Sequence, residues 1–507
     1  MTVYGERGEA LLQGQKRIAI IGGGIAGLST GIYAQKHGFR TTIYEALPQI
    51  GGVCAPLRTA GVSLEPTLRF LNGVREDTPL YRCWQETGGL QDTLPVTPDS
   101  FFTAEEAGAT VNFCGDINEF LESTAACSPE DREQLKRFCT AVEKAGAFRP
   151  ATECPPDLLS PLKALAGAAG TESGRLLLRL RTVSLQDYAQ QFHHPALRCA
   201  FREVLPPGST LAQLVFSYSR FLSGDLAVPV GGSAGIVHRM AKRYLAEGGQ
   251  LRCKDPVKKI IAANGAARGI VLAGGEHMLT HWVIAACDPA YACRVLLQDR
   301  YGMEKKLQDR YCMPEKYTTC SLVRLFFSAP EESLPIERTL SFPTDVIPAE
   351  GDGISRLRVT QFSNDPTFVF NGRAELAVDF PIAGRQAFRR WEALAGQQAA
   401  YREEIRLLAD STRQALEKHF PQMQGLVQFL GCHTPADYAR RFHNFHGSCT
   451  AFIPTAQARP APLTGRLPGL SHLLLTGQWL GPTAGMHTAL LQGKFTVQRI
   501  CRDEHIP

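Results

Sequence analysis

The chain has 507 residues, of which 44% are apolar and 20% charged, and its formal net charge is +5. This length exceeds one simple core and predicts two or three domains, while the composition excludes a disordered or collagen-like protein. The sequence has no basic run suited to binding nucleic acid. It also has no apolar run of about 18 residues and no secretory signal. We therefore expect a cytoplasmic protein whose thiols are reduced.

The first predicted element is a buried parallel strand at residues 17–21, which is short, apolar and rich in β-branched residues. Gly22, Gly24 and Gly27 follow it as G-x-G-x-x-G and open a helix that is expected to run to about Lys36. Such glycines permit a tight turn, a close approach of the backbone to a pyrophosphate and close packing of helix on strand. The free amides at the helix start then hold phosphate charge.

A second predicted strand at residues 41–44 ends in Glu45, which lies 21 residues after Gly24. An acid at this offset binds the ribose hydroxyls of a dinucleotide and disfavours a 2′-phosphate. Strand, glycine motif, helix, strand and terminal acid stand in the order that a Rossmann-type fold requires. These residues alone leave FAD and NAD open.

Gly51 and Gly52 come soon after Glu45 and resemble the extended fingerprint of the amine oxidase and phytoene desaturase flavoprotein superfamily. In that superfamily a second glycine pair lies against the FAD diphosphate, so the resemblance implies FAD. Val53 stands where the family usually has arginine. The cofactor contacts expected here are therefore those of the backbone.

Later segments extend the resemblance in the same order. Residues 228–233 are similar to the family's P-x-G-G-s turn and lead into a helix through about Leu245. Residues 251–262 are expected to form one strand, with Val257 where the family's backbone meets the adenine. Residues 282–287 resemble the strand that returns to the FAD domain.

The closing motif at residues 473–486 is the most specific part of the resemblance: a strand, a glycine-rich turn and a helix. In relatives this helix points its N-terminus at the isoalloxazine, where amides stabilise the negative charge of reduced flavin. The residues that fingerprint and resemblance together place at the cofactor are Gly22, Gly24, Ile25, Ala26, Gly27, Glu45, Ala46, Gly51, Gly52, Val53, Thr67, Val257, Gly477, Gln478, Gly485 and Met486.

The resemblance is strongest to carotenoid desaturases, isomerases and saturases, and it implies an α/β fold with two discontinuous domains. A Rossmann-type FAD-binding domain, a parallel sheet with helices, is expected from residues 14–60, 225–290 and 430–507. An α+β substrate domain is expected from residues 61–224 and 291–429.

The implied function is FAD-dependent hydride transfer at flavin N5, which desaturates, saturates or isomerises an apolar or conjugated small molecule. An amine oxidase-like enzyme and a non-redox binding protein of the same fold are the alternatives. No catalytic residue is assigned, and the weak candidates are Glu65, Arg69, His443 and His446. Glu65 and Arg69 either steer a proton or form an ion pair that holds their loop. The two histidines suit a polar pocket wall and not a metal site, since no further ligand stands at metal spacing.

Leucines and basic residues are interleaved between Asp157 and Arg181. This pattern allows two interpretations: peripheral contact with an anionic membrane surface, or a helix packed inward with solvated basic side chains. The oligomeric state is not predicted.

Overall fold

The computed structural model describes residues 15–59, 62–67, 69–160, 170–335, 338–349, 352–382, 384–459 and 461–506. It confirms the predicted α/β class, with a mainly parallel Rossmann-type sheet and a second, mainly antiparallel sheet.

The first sheet is built around the predicted strand Arg17–Ile21, which pairs in parallel with strands on both sides. Ile18 and Ile20 pack toward helices on one face, and Ala19 and Ile21 toward the other face. Both faces are therefore covered, which explains the uninterrupted apolar run. In spatial order the main strands are Gln250–Cys253, Arg40–Glu45, Arg17–Ile21, Trp282–Ala285, Leu470–Leu475, Ala266–Leu272 and Val257–Ala263; His277–Leu279 and Arg466–Leu467 pair at the side.

The expectation of one strand over residues 251–262 is wrong. The segment forms two strands, Gln250–Cys253 and Val257–Ala263, which lie at opposite ends of the first sheet. Lys254 has a left-handed φ of 59°, and the amide of Asp255 donates to the carbonyl oxygen of Glu45 at 3.0 Å. Pro256 has no N–H to offer a ladder, so the chain turns here.

Three helices pack on one face of the first sheet: Ile25–Lys36 (the fingerprint helix), Gly232–Ala246 and Met486–Asp503 (the closing helix). The predicted helix end at Lys36 is confirmed, and Gly38 follows with φ 80°. A Cβ on Gly493 of the closing helix would lie 2.6 Å from Ser29 of the fingerprint helix. Glycine is thus what allows these two helices to touch.

The second sheet has one face against helices Gly384–Ala395 and Gln398–His419 and the other toward the interior of the molecule. Val323, Leu325 and Phe327 point to the helical side. In spatial order its strands are Gln428–His433, Ser321–Pro330, Arg373–Ile382, Asp352–Gln361, Thr339–Ala349, Ser100–Glu106 and Ala109–Cys114; Val369–Phe370 pairs at the side.

Short strand pairs connect the layers: Leu57–Thr59 with Val62–Leu64, Tyr317–Thr318 with Ile453–Pro454, and Leu226–Pro229 between Leu71–Asn72 and Pro95–Val96. Helices in the described part of the chain also include Pro79–Glu86, Ile117–Cys127, Arg132–Ala145, Glu172–Leu180, Leu185–Ala189, Pro195–Glu203, Leu211–Leu222, Pro289–Tyr291, Lys305–Cys312 and Pro435–Phe442.

The stretch between Asp157 and Arg181 is described except for residues 161–169, which lie outside the described residues. In helix Glu172–Leu180, Leu177 and Leu180 pack against an aromatic cluster that includes Phe113 and Phe138, whereas Leu178 is exposed. This arrangement favours the inward-packed interpretation for those two leucines. Among the described residues, every helix is too short or too polar to cross a membrane.

Candidate active site

The glycine loop between the strand and the fingerprint helix has the geometry that a bound phosphate requires. Gly22 has φ 106°, and a Cβ on Gly27 would collide with the carbonyl oxygen of Gly22. A Cβ on Gly24 would meet nothing closer than 3.8 Å, so the backbone of Gly24 is open toward the cavity. As predicted, Gly22 makes the tight turn, Gly27 allows the helix to pack closely on the strand, and Gly24 leaves the backbone open to a phosphate.

The fingerprint helix has Gly24 as its N-cap residue, with no side-chain cap hydrogen bond and no acid in its first turn. Its first amides therefore remain available to an anion. Glu45 lies beside them: its carboxylate accepts from the amides of Gly23 at 2.8 Å and Leu47 at 2.9 Å. Burial raises the pKa of Glu45, and these amide hydrogen bonds oppose that rise.

The second glycine pair lies directly against the glycine loop. The amide of Gly51 donates to the carbonyl oxygen of Gly23 at 2.9 Å, and Gly51 and Gly24 form an isolated parallel bridge. Gly51 and Gly52 have φ 130° and 56°. A Cβ on Gly51 would lie 2.9 Å from the amide nitrogen of Ala55, so this turn requires glycine.

The closing motif reaches the same place from the other end of the chain. A Cβ on Gly477 would lie 3.7 Å from that of Ala26 in the fingerprint helix. Gln478 Oε1 accepts from the amide of Gly485 at 3.2 Å, which fixes the turn that precedes Met486. The N-terminal ends of both helices therefore face one space.

That space is a cavity of about 610 Å³. Every residue predicted to hold the cofactor lines it except Gly27, whose part is the packing of helix on strand. The cavity continues to apolar side chains beyond the closing motif: Phe70, Leu205, Phe216, Leu226, Leu322, Pro381 and Phe442.

The four weak catalytic candidates fall in different environments. Arg69 and His443 line the cavity, and the His443 ring stacks on Tyr291 at 4.0 Å between centroids. Glu65 is buried and accepts from the amide and hydroxyl of Ser233 at 2.8 and 2.7 Å, where it anchors its loop to a helix start. The Arg69 guanidinium donates to backbone carbonyl oxygens, and these contacts do not match the alternative of an ion pair with Glu65.

His446 stacks on Phe445 at 3.7 Å and is not among the described residues that line the cavity. Burial lowers the pKa of His443.

Sequence reasoning missed a polar row on the second sheet. Arg324, Asp379 and Arg358 are paired across three neighbouring strands, and all three line the cavity. Asp379 accepts two bonds from Arg324, at 2.7 and 2.8 Å. Strand alternation indicates that Arg324 faces away from Val323 and Leu325, but no local pattern joins it to Asp379.

Two further cavity residues were also missed. Asp288 follows strand Trp282–Ala285 and accepts from the Tyr311 hydroxyl and the Phe445 amide, each at 2.9 Å. Burial raises its pKa to about 6 against these bonds. His487 lies in the first turn of the closing helix, and burial lowers its pKa to about 4.

Comparison with known proteins agrees with this geometry. Residues 20–87 match the family model of the NAD(P)-binding Rossmann-like domain. The 4,4′-diapophytoene desaturase (4,4′-diapolycopene-forming) of Methylomonas sp is 24% identical over 61% of this chain and 60% of its own. A zeta-carotene-forming phytoene desaturase of Myxococcus xanthus is 21% identical over 97% of this chain and 95% of its own.

The chain spans 27–60% of the length of the first three curated relatives that it matches. Among solved structures, cyclohexylamine oxidase from Brevibacterium oxydans has a TM-score of 0.54 at 15% identity, over 97% of this chain and 100% of that one. At this identity the likeness concerns the fold.

Proposed function

We propose that the chain is a phytoene desaturase-like member of the amine oxidase flavoprotein superfamily, and that it is an FAD-dependent oxidoreductase of an apolar or conjugated small molecule. The observation that carries the proposal is a single cavity that joins the glycine loop and Glu45 to an apolar chamber. The relatives named above act, by their names, on carotenoid precursors.

In this proposal, residues 14–60, 225–290 and 430–507 provide most of the cofactor site, and residues 61–224 and 291–429 provide most of the substrate site. The amides after Gly24 bind the diphosphate and Glu45 binds the adjacent ribose. The first turn of the closing helix offers amides to negative charge on the flavin ring. FAD, when bound, supplies a hydride acceptor or donor at N5.

The chain's own part is to orient the substrate and exclude water. The apolar side chains of Leu205, Phe216, Leu226 and Leu322 give a conjugated or aliphatic body a surface on which to pack. A polyene that loses hydride forms a delocalised cation that releases its proton readily. The chemistry then needs no strong catalytic base, which agrees with the absence of a base–nucleophile pair in the sequence motifs.

An amine oxidase activity is the second candidate, because the solved structures of similar fold include amine oxidases. The charges in the cavity argue against it. A protonated amine would face the guanidinium groups of Arg69, Arg324, Arg358 and Arg441, with Asp379 already held by Arg324.

Anaerobic mixing of the FAD-loaded protein with isoprenoid polyenes or with amines separates the two candidates. We expect polyenes to change the absorbance of the oxidised or reduced flavin, with a matching change in the polyene spectrum. We expect putrescine and cyclohexylamine to leave the absorbance of the flavin unchanged. Flavin reduction by an amine, without any response to polyenes, would reverse the assignment.

A further inference from the structure

The cavity has more cationic than anionic side chains on its substrate side. Arg69, Arg324, Arg358 and Arg441 line it. Of the carboxylates that line it, Glu45 lies at the glycine loop, and Asp288 is held by the hydrogen bonds described above. Asp379 therefore remains as the acid of this side among the described lining residues, and it is bound by Arg324.

The polar partners of Arg69, one of these cations, are backbone carbonyl oxygens. Its Nη1 and Nη2 donate to the carbonyl oxygens of Val204 and Phe101, each at 2.7 Å, and its guanidinium lies 4.9 Å from the centroid of the Phe101 ring. Within the described residues its Nε has no partner and no acid lies within ion-pair distance. Burial, followed by the nearby charges of Arg358 and Arg338, lowers its pKa to about 9.

Arg358 lies on the second sheet, and its guanidinium and that of Arg69 lie 5.5 and 5.4 Å from the ring centroid of Phe102. Its Nη2 donates to the carbonyl oxygen of Glu203, whose carboxylate is 3.6 Å away and partly exposed, and its Nε has no partner in the described part of the chain. Arg338 donates to the carbonyl oxygen of Arg69 and is not among the described residues that line the cavity. Neighbouring buried guanidinium groups repel one another, and an anion between them removes that cost.

We infer that the substrate carries a carboxylate, which Arg69 and Arg358 bind while its apolar body packs against Leu205, Phe216 and Leu226. This inference rests on the proposed function and narrows its substrate class to polyene or isoprenoid acids. A carboxylate suits two guanidinium groups, which offer paired donors to planar oxyanions. A phosphate dianion would lose more hydration in so apolar a chamber. The glycine loop, not these arginines, is the phosphate site of the cavity.

The test compares cis-parinaric acid, a conjugated tetraene carboxylate, with its methyl ester. Each is titrated into the purified FAD-loaded protein at pH 8, and binding is followed by the fluorescence of the tetraene. We expect the acid to bind about tenfold to hundredfold more tightly than the ester, as hydrogen bonds to a charged group allow. Equal affinity of acid and ester for the unmodified protein would overturn the inference without any need of a variant.

The variants Arg69→Gln and Arg358→Gln assign the effect to residues. Each is expected to weaken the acid about tenfold and leave the ester unchanged. Arg440→Gln is the matched control, because Arg440 is exposed and pairs with Asp437. Equal weakening of acid and ester in the two cavity variants would show a change of cavity shape and contradict the proposed contact. An altered flavin reduction potential with an unchanged acid-to-ester ratio would contradict it too.

Binding and turnover are read separately, so the two proposals can fail separately. A protein that prefers the acid but binds no FAD, or turns over no polyene, would contradict the proposed function and leave the carboxylate contact intact. A protein that turns over neutral polyenes and shows no preference for the acid would contradict the carboxylate contact and support the proposed function.

Discussion

A single carboxylate carries the cofactor assignment at the residue scale. Glu45 was predicted from its offset after the glycine motif, and the structure places it at the open end of the loop with two backbone donors. Its position could be predicted because strand, turn and helix are all local in sequence. The structure was needed only to show which backbone amides donate to its carboxylate.

Replacing Glu45 with glutamine tests this role. The amide oxygen still accepts from Gly23, whereas the NH2 group cannot accept from Leu47 and the charged bond to the ribose is lost. Bonds to charged groups contribute about 1.5–3 kcal/mol, so FAD affinity should fall by roughly tenfold to hundredfold. Fluorescence titration of the apoprotein measures it, with Glu276→Gln, an exposed acid paired with Arg252, as the control. Unchanged affinity would remove Glu45 from the site.

A second residue, His433, is expected to make the stability of the folded protein depend on pH. Burial, together with the charges of Arg441 and Arg324, lowers its pKa to about 4 despite nearby Asp437. The unfolded chain binds this proton near pH 6.5 and the folded chain near 4, so stability is lost as the pH falls through that window. Asp288, whose pKa is raised, acts in the opposite direction.

We therefore expect acidification from pH 7 to 4.5 to destabilise the unmodified protein more than His433→Leu, by on the order of 2–3 kcal/mol. The free energy of unfolding by urea at the two pH values is the measurement. His277→Gln, at an exposed histidine, should keep the full loss. Identical losses in the unmodified protein and His433→Leu would show that His433 is not the responsible group.

At the scale of elements, prediction succeeded where a pattern was local and failed where pairing was distant. Strand Arg17–Ile21 and the fingerprint helix matched because each has its own apolar run and stop signal. Residues 251–262 look like one strand by composition, but Lys254 and Pro256 divide them. Arg324 and Asp379 are 55 residues apart in sequence with Arg358 between them, and only the register of the sheet brings the three together.

Gly27→Ala tests the contact between the fingerprint helix and its strand. The added methyl would collide with the carbonyl oxygen of Gly22, so the helix must shift and the loop must open. We expect a loss of about 1–3 kcal/mol or more and weaker FAD binding. Thermal unfolding and FAD titration measure both effects. Gly274→Ala is the control, since a Cβ there meets nothing within 4 Å; equal behaviour of the two variants would contradict close packing at Gly27.

At the scale of the whole molecule, the cavity lies where the two sheets approach each other. Its wall combines the glycine loop, the closing motif and the polar row of the second sheet, which come from distant parts of the chain. The half in which the cofactor is proposed to bind is marked by motifs, so the resemblance to a known family could predict it. The substrate half has no motif, so its arginines became visible only in three dimensions.

Flavin bound in this cavity would stabilise the entire chain. A ligand that binds only the folded state adds about 2.7 kcal/mol at one hundred times its dissociation constant. Thermal unfolding of the apoprotein with rising FAD should therefore show a midpoint that keeps increasing with FAD concentration. FMN, which lacks the adenosine half that Glu45 is expected to hold, should raise the midpoint less. Equal shifts with FMN would argue against occupancy of the glycine loop.

The most direct test of the central claim is the identity and amount of flavin released from the purified protein by heat. The account predicts a yellow protein that releases FAD in an amount equal to the protein chain, or an apoprotein that takes up FAD to that amount. A colourless protein that binds no added FAD would contradict it.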